Sequence, residues 1–272
     1  MKNKNFIIYT VLATIIISSI SAFSLYPVSL VISSQKEEVI HLFNGRNLDG
    51  WYTFLETRGK NNDPTKVFTV QKGKLRISGE EWGCITSDKE FENYHLITEF
   101  KWGGETFEPR KDNARDCGIL LHSVGEDGAK NGLWMYSIEC QIIEGGTGDF
   151  IVVGDGSENF SITSTVADVK QGSSHVYKAQ GKTATINSGR INWYGRDPEW
   201  KDVVGFYGKN DIERPVGRWN RLECIVKEGT ITNILNGKVV NMATQVIPSK
   251  GRIQIQSEGA EILFRKVDLI PL

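Results

Sequence analysis

His95-Leu96-Ile97-Thr98-Glu99-Phe100-Lys101-Trp102 alternates along its whole length. In an extended chain Leu96, Thr98, Phe100 and Trp102 share one face, a period of two that a helix could not bury. Farther along, Arg221–Val226 and Ile231–Leu235 alternate in the same way. Between Leu235 and Val239 lies Asn236-Gly237, a pair that tolerates positive φ at both central positions of a tight hairpin turn. Lys72-Gly73-Lys74 and Glu228-Gly229-Thr230 mark further tight connections. No amphipathic helical pattern appears after residue 40. Strands punctuated by turns throughout predict an all-β chain of antiparallel sheets, closed as a sandwich or a barrel.

The composition agrees. The chain has 272 residues, 39% of them hydrophobic and 24% charged, enough apolar material for a sizeable core and too much for a disordered chain. A net charge of -1, with no basic cluster, gives no electrostatic drive toward nucleic acid.

Lys2 and Lys4 precede an apolar run from Phe6 to Ile20, and Ala22-Phe23-Ser24 supplies small residues at the two positions a signal peptidase reads. This predicts a signal peptide over 1–24, a short linker over 25–38 and one domain over 39–272. The mature protein is then periplasmic or extracellular, with no stable insertion in the membrane. Apolar residues resume at Leu25 to Ile32, so an uncleaved anchor is the alternative. Cys84, Cys117, Cys140 and Cys224 form no C-x-x-C pair. An exported chain permits disulfides, while their strand-like neighbours equally suit buried thiols.

Gly145 to Gly217 holds 12 of the 28 glycines and few long apolar runs. That stretch reads as long loops and short strands, the part of a rigid β scaffold that commonly carries function. Trp193, Tyr194 and Trp200 lie within it, where a core role is least natural. Their flat faces suit stacking on a sugar ring at the rim of a site.

Trp134–Gly146 is the richest run in chemistry. In a regular strand Ser137, Glu139, Gln141 and Ile143 share one face, and Glu144 is driven into the apolar one. A β-bulge between Gln141 and Glu144 would instead bring Glu139, Gln141 and Glu144 to one side. Two carboxyls on one sheet face are what glycosidic-bond chemistry uses, one as acid or base and the other as nucleophile or base. The E-x-Q-x-x-E spacing resembles the E-x-D-x-x-E strand of laminarinase-like retaining glycosidases, with Gln141 in place of the middle acid. His122 closes the apolar strand Asp116–Ser123. It is either a satisfied structural histidine or, if that strand neighbours the acidic one, a third catalytic candidate. A divalent cation is the one cofactor such a His, Glu and Asp set would admit, although no spacing matches a metal motif.

Eight segments form an ordered series. The first is Leu42-Phe43-Asn44-Gly45-Arg46-Asn47-Leu48-Asp49-Gly50-Trp51, followed by Trp82-Gly83, Asp116-Cys117-Gly118-Ile119 and Ile138–Gly145. Gly217-Arg218-Trp219-Asn220, Asn236-Gly237-Lys238-Val239, Lys250–Gln256 and Phe264-Arg265-Lys266-Val267 complete it. In this order they resemble the 3-keto-disaccharide hydrolase family, also described as 3-keto-glucoside 1,2-lyases with 3-keto-2-hydroxyglucal hydratase activity. The resemblance implies a two-sheet antiparallel jelly-roll sandwich of the concanavalin A-like lectin/glucanase type, with long loops on one side. It also implies an enzyme that cleaves 3-keto-glycosides by elimination across C1–C2, hydration, or both. The matching polar positions are Glu139, Gln141, Glu144 and Asp149; Gln256 and Arg265 also fall on recurrent family positions, Gln256 facing the sugar and Arg265 either doing so or pairing with a carboxylate in the sandwich. A small sugar or glycoside is the expected partner. A direct retaining hydrolase and a non-catalytic carbohydrate-binding module remain the alternatives.

Overall fold

The computed structural model describes residues 38–272, so the expected signal peptide and nearly all of the linker lie outside the described residues. Nineteen strands follow in chain order. They begin with β1 (Ile40–His41), β2 (Trp51–Leu55), β3 (Gly59–Lys60), β4 (Phe68–Gln71), β5 (Lys74–Ile77), β6 (Gly83–Ser87) and β7 (Tyr94–Thr106). Next come β8 (Asp116–Val124), β9 (Tyr136–Ile143), β10 (Phe150–Val153), β11 (Ser161–Val166), β12 (His175–Val176) and β13 (Lys182–Ile186). The chain ends with β14 (Gly189–Asn192), β15 (Asn220–Lys227), β16 (Thr230–Leu235), β17 (Lys238–Ile247), β18 (Arg252–Ser257) and β19 (Ala260–Pro271).

These strands form two sheets. The first runs β13-β11-β17-β16-β15-β7-β19-β5-β4, with β1 paired to β19. The second runs β12-β14-β10-β9-β8-β18-β6-β2-β3. Pairing is antiparallel except between β12 and β14. The architecture is all-β in two sheets: the alternation and turn residues predict a sandwich or a barrel, and the sandwich forms, the jelly roll that the family resemblance implies.

The three tight connections have the expected backbone. Lys72 and Gly73, Glu228 and Gly229, and Asn236 and Gly237 all have positive φ. Each pair joins directly paired neighbours, Gln71↔Lys74, Lys227↔Thr230 and Leu235↔Lys238. Two-residue loops of this hand match the twist of the strands they join.

Leu96, Phe100 and Trp102 of β7 point into the space between the sheets, where they meet Cys117, Ile119 and Leu121 of β8 and Ile138, Cys140 and Ile142 of β9. Each large apolar side chain buried there contributes roughly 1.5–3 kcal/mol. All four cysteines are free and buried, which answers the open question of their state. Beyond β14 no strand forms until Asn220, so the expected long loops occupy the end of the glycine-rich stretch. Among the described residues no helix is long and apolar enough to cross a membrane.

Candidate active site

The inner residues of β8, β9 and β10 alternate with a second set that faces away from the inter-sheet core. Register aligns that outer set in rows. One row crosses the sheet as Arg190, Ile151, Glu139, Leu120, Gln254, Thr86 and Tyr52, each the direct partner of the next. The adjoining row contains Gln141 opposite Gly118, then Gln256 opposite Cys84. Although these residues face away from the inter-sheet core, Glu139, Gln141, Gln254 and Gln256 are all buried.

Gly118 shapes the middle of the array. A Cβ at that position would fall on Glu139 Oε1 and on Gln256 Oε1. The missing side chain therefore makes the space into which Glu139 and Gln256 converge. Gln141 Nε2 donates to Asp116 Oδ1 at 2.6 Å, and Arg110 holds the other carboxyl oxygen of Asp116 at 3.1 Å. The carbonyl oxygens of Gln141 and Gln256 are buried with no hydrogen-bond partner among the described residues.

Burial lifts the Glu139 carboxyl well above the usual carboxylate range; Asp116 and Asp149 add to the rise, while Arg190 opposes it. Burial likewise raises Asp116, against the pull of Arg110 and Arg190. Half-buried Glu258 is pushed the same way by desolvation and by Asp116 and Glu139. Three carboxyls crowded together in low dielectric cannot all ionise, so the group holds protons at neutral pH. A proton on Glu139 also gives its oxygen something to offer the unpartnered carbonyl of Gln256.

Asp149 is fully buried beside this group. Its Oδ1 accepts the Trp193 backbone N–H at 2.7 Å, and its Oδ2 accepts both Arg190 Nη1 at 3.0 Å and Arg196 Nη1. Two guanidinium groups thus share one carboxylate, and Arg190 lies between that carboxylate and Glu139. Trp193, expected on a rim, is instead only 1% exposed; its indole N–H donates to Gly145 O at 3.2 Å. Tyr194 is exposed and packs edge-on against Trp193, facing a separate apolar groove with Val176, Tyr177 and Val239. Trp200 lies under Arg196, 4.2 Å from its guanidinium carbon.

Glu144 stands apart from Glu139. The bulge expected between Gln141 and Glu144 does not form, because Gly118↔Gln141, Cys117↔Ile142 and Asp116↔Ile143 pair in unbroken register. The strand ends at Ile143, and Glu144 is held by Arg115 Nη1 at 2.8 Å, the Arg115 backbone N–H at 3.0 Å and the Gly205 N–H at 2.7 Å. It anchors the loop after β14 and lines a cavity of about 240 Å³ with Trp102, Phe206 and Glu213.

His122 is also elsewhere. Strands β8 and β9 are neighbours, but the register shifts between Leu121 and Val124, and His122 takes a φ of 54°. This turns the imidazole onto Tyr94 of the other sheet, with Nδ1 2.7 Å from Pro248 O. Burial lowers its pKa to about 4, so it is neutral at physiological pH. Arg265 lies on the first sheet, where its Nε meets Glu99 Oε2 at 2.5 Å and its guanidinium covers Trp219. Among the described residues no cluster of three His, Cys, Asp or Glu side chains is arranged to hold a metal ion.

Of the expected residues, the structure gathers Glu139, Gln141, Gln256 and Asp149, and adds Asp116, Gly118, Arg110, Arg190 and Arg196. A signal for Asp116 and Gly118 is present in the sequence. Asp116-Cys117-Gly118-Ile119 alternates polar or small against apolar, which sets a carboxylate and a gap on one face. Arg190 and Arg196 have no comparable local pattern.

A presumed glycosyl hydrolase from Parabacteroides distasonis superposes with a TM-score of 0.50 at 18% identity, over 86% of this chain and 94% of that one. A carbohydrate binding module, CBM66, from Bacillus subtilis gives 0.40 at 12% identity over 80% and 93%. The β-glucanase of Bacillus licheniformis gives 0.45 at 10% identity over 87% and 98%. No curated protein matches the sequence. A family model described as a 3-keto-alpha-glucoside-1,2-lyase-like domain matches residues 38–270, and the chain belongs to that family.

Proposed function

We propose that this protein cleaves 3-keto-glycosides by proton abstraction and elimination at the Glu139–Asp116 pair. The observation that carries the reading is the state of Glu139. It is buried, it has no hydrogen-bond partner among the described residues, it shares its surroundings with Asp116, and Arg190 stands across one strand.

A 3-keto group acidifies the hydrogen at C2 because the resulting anion is delocalised as an enolate. The ionised member of the carboxyl pair removes that proton. The electron pair forms the C1–C2 double bond, the C1–O bond breaks, and the protonated member gives its proton to the departing oxygen. Addition of water across the alkene, a proton to C2 and hydroxide to C1, then yields the free 3-keto sugar. Arg190 is the group suited to the enolate oxygen, since a fixed cation in a buried site stabilises charge as it develops.

This chemistry needs one acid, one base and an oxyanion partner, all supplied without Glu144. A direct retaining hydrolase needs two carboxyls about 5–5.5 Å apart, one of them a free nucleophile. Glu144, the second carboxyl of that scheme, faces a different cavity, with Trp102, Phe206 and Glu213, where Arg115 and two backbone N–H groups hold it. The N-terminal pattern supports export, so the substrate is met outside the cytoplasm. The test is turnover of a 3-keto-glucoside and its unoxidised parent by the same purified protein. Cleavage of the keto substrate alone is expected; cleavage of the parent at a comparable rate contradicts the proposal.

A further inference from the structure

Next to the carboxyl cluster a cavity of about 360 Å³ opens beyond Arg190. Arg190, Asn192, Arg196, Ser173 and Ser174 line it, with the Trp200 ring. Two features of this cavity are only partly met among the described residues.

The first is charge. Arg190 and Arg196 both spend a single N–H on Asp149 Oδ2, and no other acceptor takes their remaining N–H groups among the described residues. Arg196 is only 7% exposed, and it is among the residues that line the cavity. Gly146 leaves the room it occupies, since a Cβ there would fall on Arg196 Nη1. Asp197 also lines the cavity as an anion, its charge held by the Glu199 N–H at 2.9 Å and the Lys209 N–H at 3.1 Å. Asp149 is the carboxylate in hydrogen-bond contact with both guanidinium groups.

The second is an orphan acceptor. Asn192 is 4% exposed, and its Nδ2 donates to Gln171 Oε1 at 2.9 Å. Gln171 in turn donates to Arg196 O at 3.0 Å, which fixes the orientation of both amides. Asn192 Oδ1 is left buried with no donor. An unmet buried acceptor favours a ligand that brings a hydroxyl. Unmet guanidinium groups favour one that brings an anion in a planar or tetrahedral array of oxygens.

We infer that this cavity binds an anionic sugar unit of the substrate, with a carboxylate or sulfate oxygen on the Arg196 side and a ring hydroxyl donating to Asn192 Oδ1. The inference rests on the reading of the carboxyl cluster as a sugar site, and it names the substrate class as acidic glycosides. Because Arg190 belongs to both the cavity and the cluster, an occupied cavity sets the sugar beside Glu139.

Calorimetric titration of the full chain with methyl glucoside, methyl glucuronide and glucose 6-sulfate tests this without any turnover. At low salt the glucuronide or the sulfate is expected to bind at least about tenfold tighter than the glucoside, the worth of one charge-assisted hydrogen bond. Which of the two binds better identifies the anion. That advantage is expected to shrink severalfold at about 0.5 M salt. Ser173→Asp, which sets a second negative charge at the exposed rim of the cavity, is expected to abolish the advantage of the anionic sugars over the glucoside. Equal affinity for all three sugars, no measurable binding at millimolar concentration, or a preference that survives both salt and Ser173→Asp would overturn the inference. Anion-selective binding in a protein that cleaves no keto-glycoside would overturn the proposed reaction and leave the cavity assignment intact.

Discussion

Arg190 and Glu139 stand on the same outer face of the second sheet with one residue, Ile151, between them in the strand register. Three adjacent strands place their backbones about 10 Å apart, within the reach of the two side chains. Arg190 is drawn by Asp149, Glu139 and Asp116 and stays charged despite its burial. A cation fixed beside a carboxyl pair that shares a proton, one member as base and the other as acid, is the arrangement that an enolate-forming elimination requires.

Glu139→Gln keeps the shape of the side chain and removes its proton. Turnover of a 3-keto-glucoside is expected to fall at least about 100-fold, the usual worth of a positioned acid or base. Thermal stability is expected to hold or rise, because a buried ionisable group with no partner is replaced by a neutral amide. Parallel rate and melting measurements check both halves.

Gly118→Ala separates the site from the sheet. Gly118 has no positive φ, so alanine suits the backbone, and the three atoms nearest the new methyl belong to the ends of Glu139 and Gln256. Activity is expected to drop by one to two orders of magnitude, with a stability change within about 1 kcal/mol. A large loss of stability with intact activity would show that the gap at Gly118 serves the fold and not the site.

Glu144→Gln is expected to act on stability. The Arg115–Glu144 pair is buried on both sides, with side chains 11% and 6% exposed. Removing one charge leaves the other uncompensated, a loss of about 3 kcal/mol or more for such pairs. Chemical denaturation should show it, and limited proteolysis should cut faster near Gly205, whose N–H the carboxylate holds.

Glu213 sets a pH dependence of stability. It is buried, accepts from Trp102 Nε1 at 2.6 Å and contacts Thr147 Oγ1 at 2.5 Å, and burial raises its pKa from 4.5 to about 8. The folded state thus holds a proton that the unfolded state releases between about pH 4.5 and 8. Its stabilisation is complete below the unfolded value and is lost as pH rises through the folded one, with a slope of at most about 1.4 kcal/mol per pH unit. Glu213→Gln is expected to make the slope shallower in denaturation curves taken from pH 5 to 8, the remainder coming from Glu139, Asp116 and Glu258, which burial raises as well.

The sandwich was legible because it rests on local rules: a period of two in Leu96–Trp102, and turn pairs such as Asn236-Gly237 that demand positive φ. Glu139 and Gln141 were legible for the same reason, since alternation alone puts them on one face. Glu144 was not, because whether a bulge forms depends on the register with β8, and that register runs unbroken past Ile142. His122 was misdirected by a bulge that does form, two residues beyond Leu120. Arg190 and Arg196 come from a short edge strand and a loop with no periodic signal. Only the three-dimensional pairing with Asp149 brings them to the cluster.

Labelling at C2 tests the central claim most directly. A 3-keto-glucoside deuterated at C2 is cleaved in ordinary water, and the label in the released sugar is read at early times against the spontaneous exchange of free 3-keto sugar. Elimination through the Glu139–Asp116 pair predicts loss of the C2 deuterium with every cleavage, and no cleavage above background in Glu139→Gln. Release of the sugar with its C2 deuterium retained would mean direct displacement at C1 and would contradict the account.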